Sequence, residues 1–262
     1  MKSPSPFDPE IPSIARTYDY LLGGKDNYPA DREVGEIFIQ RFPGAVQIAL
    51  DNRGCLVRAV DFMTRKLGIG QFIDLGSGLP TADNVHQVAE RANAEVKVVY
   101  VDNDPIVLAH GRALLAENER TTVLSADIRE PEQVLDAVKT ESLIDFGRPV
   151  GLIASAILHH LTNEEDPLGV IRTFRDAVPP GSCLFISHFR TLGDPDSAAM
   201  EEVMIEAFGR GTWRTDAEIA TYFEGTELVP PGLVTCAEWK PRKKPDELTM
   251  YQRLIVAGLG QK

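Results

Sequence analysis

Between Gln71 and Ser187 the chain alternates short apolar runs with longer segments of helical period. The runs QFIDL, VKVVYV, TTVLSA, PVGLIAS and SCLFIS are continuously apolar rather than alternating, as expected of parallel strands covered on both faces. Between them, Thr81 to Asn93, Pro105 to Glu117, Pro131 to Thr140 and Glu164 to Val178 place apolar residues at helical spacing. Repeated strand–helix–strand units predict an α/β fold with a doubly wound sheet.

The flanks have a different texture. Residues 1 to 12 hold four prolines and read as an extended arm. Ser13 is placed to cap a short helix carrying Ile14, Tyr18, Leu21 and Leu22 on one face and ending at Gly23. Ala30 to Phe42 and Asn52 to Leu67 are predicted helices, the latter stopped by Gly68 and Gly70. After Phe189, a helix is expected from Pro195 to Phe208 and another from the capping box Thr215 to Glu218. LVTCAEW and YQRLIVAGL then read as two closing strands around the loop PRKKPDEL, which is too short for a parallel crossover. The expected sheet is therefore seven-stranded and mostly parallel, with an antiparallel C-terminal hairpin. One structural domain is expected, with residues 1–70 as an arm and helical cap on a core of residues 71–262.

Composition narrows the partners. A net charge of −12 argues against attraction to nucleic-acid backbones, which depends on Lys and Arg. Cys55, Cys183 and Cys236 are scattered without metal-ligand or disulfide spacing, which fits a reducing, cytoplasmic setting. No signal peptide or membrane span is expected, because no apolar run is long enough.

The first strand runs into Asp74-Leu75-Gly76-Ser77-Gly78-Leu79-Pro80-Thr81, a glycine turn that lets a ligand approach the backbone. The second strand ends in Asp102-Asn103-Asp104, where an acid can accept hydrogen bonds from both hydroxyls of a ribose. A dinucleotide fingerprint would require glycine where Thr81 stands, which opposes a nicotinamide oxidoreductase. Asp74 sets negative charge beside the turn and suits an ammonium or sulfonium better than a phosphate. Each of these acids could equally cap the helix that follows. Three acids at the carboxyl ends of successive strands, however, lie along the edge where open α/β sheets bind ligands.

DLGSGLP resembles the acid-x-Gly-x-Gly motif of the class I S-adenosylmethionine-dependent methyltransferases, with Pro80 in place of a third glycine. RTYDYLLGGKDNYPADR, DNRGCLVRAV, LHHL and EGTELVPPGLV together resemble a bacterial S-adenosyl methyltransferase family of unassigned substrate. The resemblance covers almost the whole chain. It implies a Rossmann-like methyltransferase fold with S-adenosyl-L-methionine as cofactor. Asp74, with Gly76, Ser77 and Gly78, would then lie by the methionine amino group and Asp102 by the ribose. Asn103 would lie beside the adenine, with Asp127 and Ile128 at its edge and face.

The methionine carboxylate needs a cationic partner, and Arg53 is the first candidate, with Arg16 and Lys25 as alternatives. Arg53 could instead pair only with Asp51 or a helix carbonyl. The tyrosine-rich stretch around Gly23-Gly24 offers Tyr18, Tyr20, Tyr28 and Lys25 as a lid over the cofactor. A helix hairpin packed for stability, with the glycines as its cap, accounts for those glycines equally well.

For chemistry, the segment Ser155 to Leu161 follows the fourth strand and faces cofactor and acceptor by the same resemblance. His159 is the first candidate base and His188 the second, although either could simply satisfy loop carbonyls. Trp213, with Phe208 and Phe189, could line an acceptor pocket or belong to the core. No Asn-Pro-Pro-Tyr type motif of amino-methylating enzymes is present. The function expected is methyl transfer to a small-molecule acceptor, with a catalytically silent, cofactor-binding regulatory protein as the alternative.

Overall fold

The computed structural model describes residues 8–80, 83–115, 119–141 and 143–262. Among these, the strands β1 (Gln71–Leu75), β2 (Lys97–Asp102), β3 (Thr121–Ser125), β4 (Gly151–Ser155) and β5 (Cys183–Phe189) form the predicted parallel array. Three further strands, β6 (Glu227–Leu228), β7 (Val234–Thr235) and β8 (Ile255–Gln261), complete a sheet of order β3-β2-β1-β4-β5-β8-β6, with β7 also on β8. β8 runs antiparallel to β5, pairing Cys183 with Gln261 at one end and Phe189 with Ile255 at the other.

Successive side chains point to opposite faces, so each strand feeds two cores. On one face Phe72, Val98, Ile153 and Phe185 pack with Ala59, Val60 and Met63 of helix α3 (Ala45–Leu67). On the other, Ile73, Val99, Leu152 and Ile186 pack with residues of α6 (Pro131–Glu141) and α7 (Pro167–Ala177). Burying each such side chain stabilises the fold by roughly 1.5–3 kcal/mol, which is why apolar continuity specified this sheet. Helices α4 (Val85–Glu90) and α5 (Pro105–Leu115) complete the crossovers, and α8 (Pro195–Phe208) and α9 (Asp216–Thr221) follow β5. Thr81, Glu117 and residues 1–7 of the arm, which figure in the sequence reading, lie outside the described residues.

The sheet has eight strands rather than seven, and its C-terminal edge departs from the expected hairpin. LVTCAEW is a strand only at Val234–Thr235, because the chain then turns, with Glu238 N and Trp239 N both donating to Thr235 O. The turn delivers Trp239, fully buried, against Phe62 and Phe185, and Arg58 fastens it through the carbonyls of Cys236 and Trp239. Tyr251–Leu254 is a 3-10 turn leading into β8. The two-residue β6 lies within TELVPP, too short for any periodicity to reveal.

At the N-terminal end, α1 (Ile14–Leu21), α2 (Pro29–Arg41) and the long α3 lie beside the carboxyl edge of the sheet. The α3 helix begins at Ala45, seven residues before the expected Asn52, with Gly44 as its cap residue. Ser13 precedes α1 but does not cap it with its side chain. Its N–H donates to Asp31 and its hydroxyl to Asp104 at 2.6 Å, so the first helix is tied to the sheet edge instead.

The polar residues of the opening stretch mostly hold the α1–α2 turn together. Asp19 accepts from Asp26 N and Asn27 Nδ2, and the buried Arg16 and Asp31 pair at 3.2 Å. Tyr20 bonds Glu36, and Tyr28 lies under the Arg16 guanidinium. No described helix is long and apolar enough to cross a membrane.

Candidate functional site

A cavity of about 290 Å³ opens along the carboxyl edge of the sheet, between it and α1, α2, α3 and α8. Its charged lining residues, Arg53, Asp74, Asp102 and Asp104, belong to α3 and to the β1 and β2 end. His159 and His160, in the 3-10 turn Leu158–His160 after β4, lie midway in strand order. Beyond them the lining is apolar, with Phe189, Ile255, Met200, Met204 and Phe208 on the β5, β8 and α8 side. With strands spaced about 4.8 Å apart, β2 and β5 are separated by roughly 14 Å, so the charged and apolar parts of the lining lie well apart within one cavity.

At the charged end, Gly76 and Gly78 both adopt the left-handed conformation, φ 70° and 66°. A Cβ on Gly76 would sit 2.5 Å from Ile157 Cγ1, so this glycine is fixed by packing. A Cβ on Gly78 would meet nothing within 4 Å, so its backbone faces open space, as a ligand-approach position requires. Asp102 accepts from Gly78 N at 2.8 Å and Asp104 N at 2.9 Å, which fixes its carboxylate at the cavity wall. Burial raises its pKa, with those two N–H groups opposing the rise.

Asp74 is buried, and desolvation pushes its carboxyl up to about 7, with Arg53 opposing and Asp102 adding to the shift. A carboxylate so poorly solvated gains strongly from a cation brought to it. Arg53 also donates to Asp83 O at 2.8 Å.

In the middle, a hydrogen-bonded chain crosses four elements. Ala156 N donates to Ser187 Oγ at 2.9 Å, and Ser187 Oγ donates to Asn52 Oδ1 at 2.6 Å. Asn52 Nδ2 in turn donates to Tyr18 Oη at 3.0 Å, which donates to Ala49 O at 3.1 Å. Ser155 Oγ lies 3.5 Å from the same Asn52 oxygen. Burial pushes Tyr18 up to about 12, so it stays a neutral donor. Ala156 itself holds φ 54°, a conformation costing about 1 kcal/mol or more that this network secures.

Of the residues singled out in the sequence, the cavity is lined by Tyr18, Arg53, Asp74, Gly76, Ser77, Gly78, Asp102, Asn103, Ser155 and His159. Lys25 is exposed on the loop after α1, away from this lining. Asp127 lies next to the charged end, 3.4 Å from Asn103 Nδ2, and is clasped by Arg129. Ile128 is buried in the core on the α6 and α7 face. His188 sits behind the wall, fully buried, with Nδ1 on Phe189 O at 2.5 Å and Nε2 on Arg214 at 3.2 Å. Trp213 stacks on Phe189 at 4.7 Å and likewise backs the wall rather than lining it.

Asn52, Asp104, Ser13 and His160 also line the cavity, although the sequence did not single them out as site residues. Asn52 had a usable signal, since it is a polar residue on the apolar i, i+4 stripe of Ile48, Asn52 and Leu56.

The profile of a family described as S-adenosyl methyltransferase matches residues 1–262, the whole chain. The chain belongs to the S-adenosyl methyltransferase family. It is an S-adenosylmethionine-dependent methyltransferase with a Rossmann-like sheet, and S-adenosylmethionine is its cofactor. A Thermobifida fusca crystal structure named as a candidate methyltransferase is 43% identical, with a TM-score of 0.93, covering 100% of this chain and 99% of that one. A Streptomyces avermitilis protein of a family of unknown function is 36% identical, with a TM-score of 0.92, over 97% and 99% of the two chains. A carboxy-S-adenosyl-L-methionine synthase of Geobacter metallireducens is 22% identical over 205 residues, 76% of this chain and 78% of its own length. The N-methyltransferase NodS of Bradyrhizobium japonicum, solved with S-adenosyl-L-homocysteine, shares the fold alone, at 11% identity and a TM-score of 0.52 over 94% and 98%.

Proposed function

We propose that this methyltransferase acts on a small molecule enclosed in the cavity, with the cofactor over β1 and β2 and the acceptor over β5 and β8. The observation that carries the reading is the division of one cavity into a charged end and an apolar end, with His159 and Ser155 where they meet. Side chains of α1, α3 and α8 line the cavity around that junction, which suits an acceptor small enough to enter it.

Residues at the charged end fit the cofactor. Asp102 would accept from the ribose hydroxyls, Asn103 and Asp127 would meet the adenine edge, and Ile128 would support its face from the core. Asp74 would pair with the methionine ammonium, and Arg53, rather than the exposed Lys25, with the carboxylate. Gly76, Ser77 and Gly78 would give the backbone surface along the ligand, and Tyr18, held by Asn52, would roof it. Bound there, S-adenosylmethionine supplies an electrophilic methyl group on its sulfonium.

The chain's own part is alignment and proton handling. His159 is almost fully buried, and burial together with its neighbours His160, His188 and Arg214 holds its pKa well below the ordinary histidine value. It is thus a neutral imidazole at physiological pH, able to accept a proton but not to repel an incoming sulfonium. His188 and Trp213 set the position of His159 and Phe189 from behind, with the His159 and His188 rings 5.4 Å apart.

Incubation with methyl-labelled S-adenosylmethionine and a fractionated metabolite extract tests the reading. Label is expected in a low-mass product. Label on protein or nucleic acid would overturn it, and cofactor binding with no labelled product from any extract would favour the catalytically silent alternative.

A further inference from the structure

We propose that the acceptor is a neutral, planar aromatic molecule bearing a hydroxyl group, with its ring against Phe208, Met200, Met204 and Phe189 and its hydroxyl at His159 and His160. This rests on the cavity being the methyl-transfer site, and it names the chemical class that site accepts.

Three observations lead there. First, the described residues lining the cavity beyond the histidines include no Asp, Glu, Lys or Arg. An acceptor carrying a full charge would be desolvated there without a partner, which strongly disfavours its binding. Second, the walls suit a ring. Phe38 and Phe208 stack at 6.4 Å with 17° between planes, Phe189 is braced from behind by Trp213, and the two methionines offer deformable, polarisable surface.

Third, the junction has an unmet polar demand. His159 Nδ1 and His160 Nδ1 are both buried without a hydrogen-bond partner, and both residues line the cavity. A buried polar nitrogen left unpaired is destabilising, and a ligand group that reaches it removes that cost. A hydroxyl both donates and accepts, so it suits two neutral imidazoles.

The sign of the surrounding field favours oxygen over an ammonium nitrogen. Arg214 acts on His159 and Arg210 on His160, and Arg214 is buried, donating to the carbonyls of Leu158, Leu161 and Thr212 and to Asn163. Positive charge from Arg214 opposes a cationic acceptor and stabilises an oxygen that is losing its proton, the charge of Arg210 being offset by its ion pair with Glu165. In the transfer, the hydroxyl oxygen's lone pair forms the new C–O bond as the S–C bond breaks. The S–C electron pair stays on sulfur to give S-adenosylhomocysteine, and the hydroxyl proton passes to the His159 imidazole. A protonated ether oxygen is far more acidic than an imidazolium, so even a histidine of depressed basicity takes that proton.

The test is calorimetric titration of 2-naphthol, 4-ethylphenol and 7-hydroxycoumarin into protein saturated with S-adenosylhomocysteine. Naphthalene-2-carboxylate, tyramine and 2-methylnaphthalene serve as charged and hydroxyl-free comparators. At least one hydroxyl compound is expected to bind tenfold or more tightly than every comparator. Met204→Lys and, as a milder variant, Phe208→Ala should abolish or weaken that binding at least tenfold while S-adenosylhomocysteine still binds. Replacing the product with S-adenosylmethionine should give the corresponding methyl ether by mass spectrometry. Equal or tighter binding of a comparator, or no hydroxyl compound bound by protein that binds S-adenosylhomocysteine normally, overturns the acceptor class alone. Failure of S-adenosylhomocysteine itself to bind overturns the underlying assignment of the cavity.

Discussion

Asp74→Asn should make the ligand-free protein relatively more stable at alkaline pH while weakening its cofactor binding. Asp74 is buried at the cavity wall, and its carboxyl is raised from 3.8 to about 7, chiefly by desolvation. The folded state therefore holds a proton that the unfolded chain gives up at lower pH. The associated stability is fully present below pH 3.8 and is lost as pH rises to about 7. Over the whole window this corresponds to roughly 4 kcal/mol, of which roughly 2–3 kcal/mol falls between pH 5 and pH 8. The asparagine variant lacks this titration, so its stability relative to wild type should climb by that amount between the two pH values, whatever its constant packing cost. Urea unfolding of both proteins at pH 5, 6, 7 and 8, without ligand, measures it. Calorimetry at pH 8 should show S-adenosylmethionine binding weakened at least tenfold, because an amide replaces the counter-charge of its ammonium. Parallel stability profiles for the two proteins, or a variant that binds the cofactor as wild type does, would refute the assignment of a desolvated carboxylate that pairs with a cation.

Other perturbations separate structure from chemistry. Gly76→Ala should cost about 2–4 kcal/mol in urea unfolding, since it adds a left-handed Cβ and a clash with Ile157. Gly78→Ala adds the same backbone strain without a clash, so calorimetry should find its larger loss in S-adenosylhomocysteine affinity. His159→Ala should lower kcat at least a hundredfold in steady-state assays and leave cofactor affinity within threefold, as removal of a proton acceptor does. Amide exchange across residues 16 to 28 should slow at least tenfold on adding S-adenosylhomocysteine. Ser13, Thr17 and Tyr18 face the cavity, and a ligand bridging α1 to the sheet opposes its opening.

The sheet was legible in the sequence because its strands are buried on both faces, and burial on both faces forces continuous apolar runs. That the glycine turn and the acids at the ends of β1 and β2 share the carboxyl edge, where the cavity opens, was legible for a related reason, since parallel strand direction fixes the edge they occupy. What escaped was set by tertiary contact. Ser13 has the local signature of a helix cap, yet Asp104, ninety-one residues away, takes its hydroxyl. Cys236 to Trp239 read as strand, but a turn that buries Trp239 and is fastened by Arg58 overrides that propensity. Of the three tyrosines in the opening stretch, Tyr18 alone lines the cavity, because only it turns toward Asn52 while the others face Glu36 and Arg16. Asn52 was visible as a polar break in an apolar stripe, but the hydrogen-bonded chain it anchors needed β4, β5 and α1 assembled around it.

Calorimetric titration of S-adenosylhomocysteine into wild type and Asp102→Ala tests most directly whether the carboxyl edge of β1 and β2 is the cofactor site. Wild type should bind one equivalent saturably. The variant, still unfolding cooperatively in urea, should bind at least tenfold more weakly, because two ribose hydroxyls lose a charged acceptor worth about 1.5–3 kcal/mol. Undiminished affinity in a folded Asp102→Ala protein, or no binding by wild type, would contradict the placement of the cofactor in this cavity.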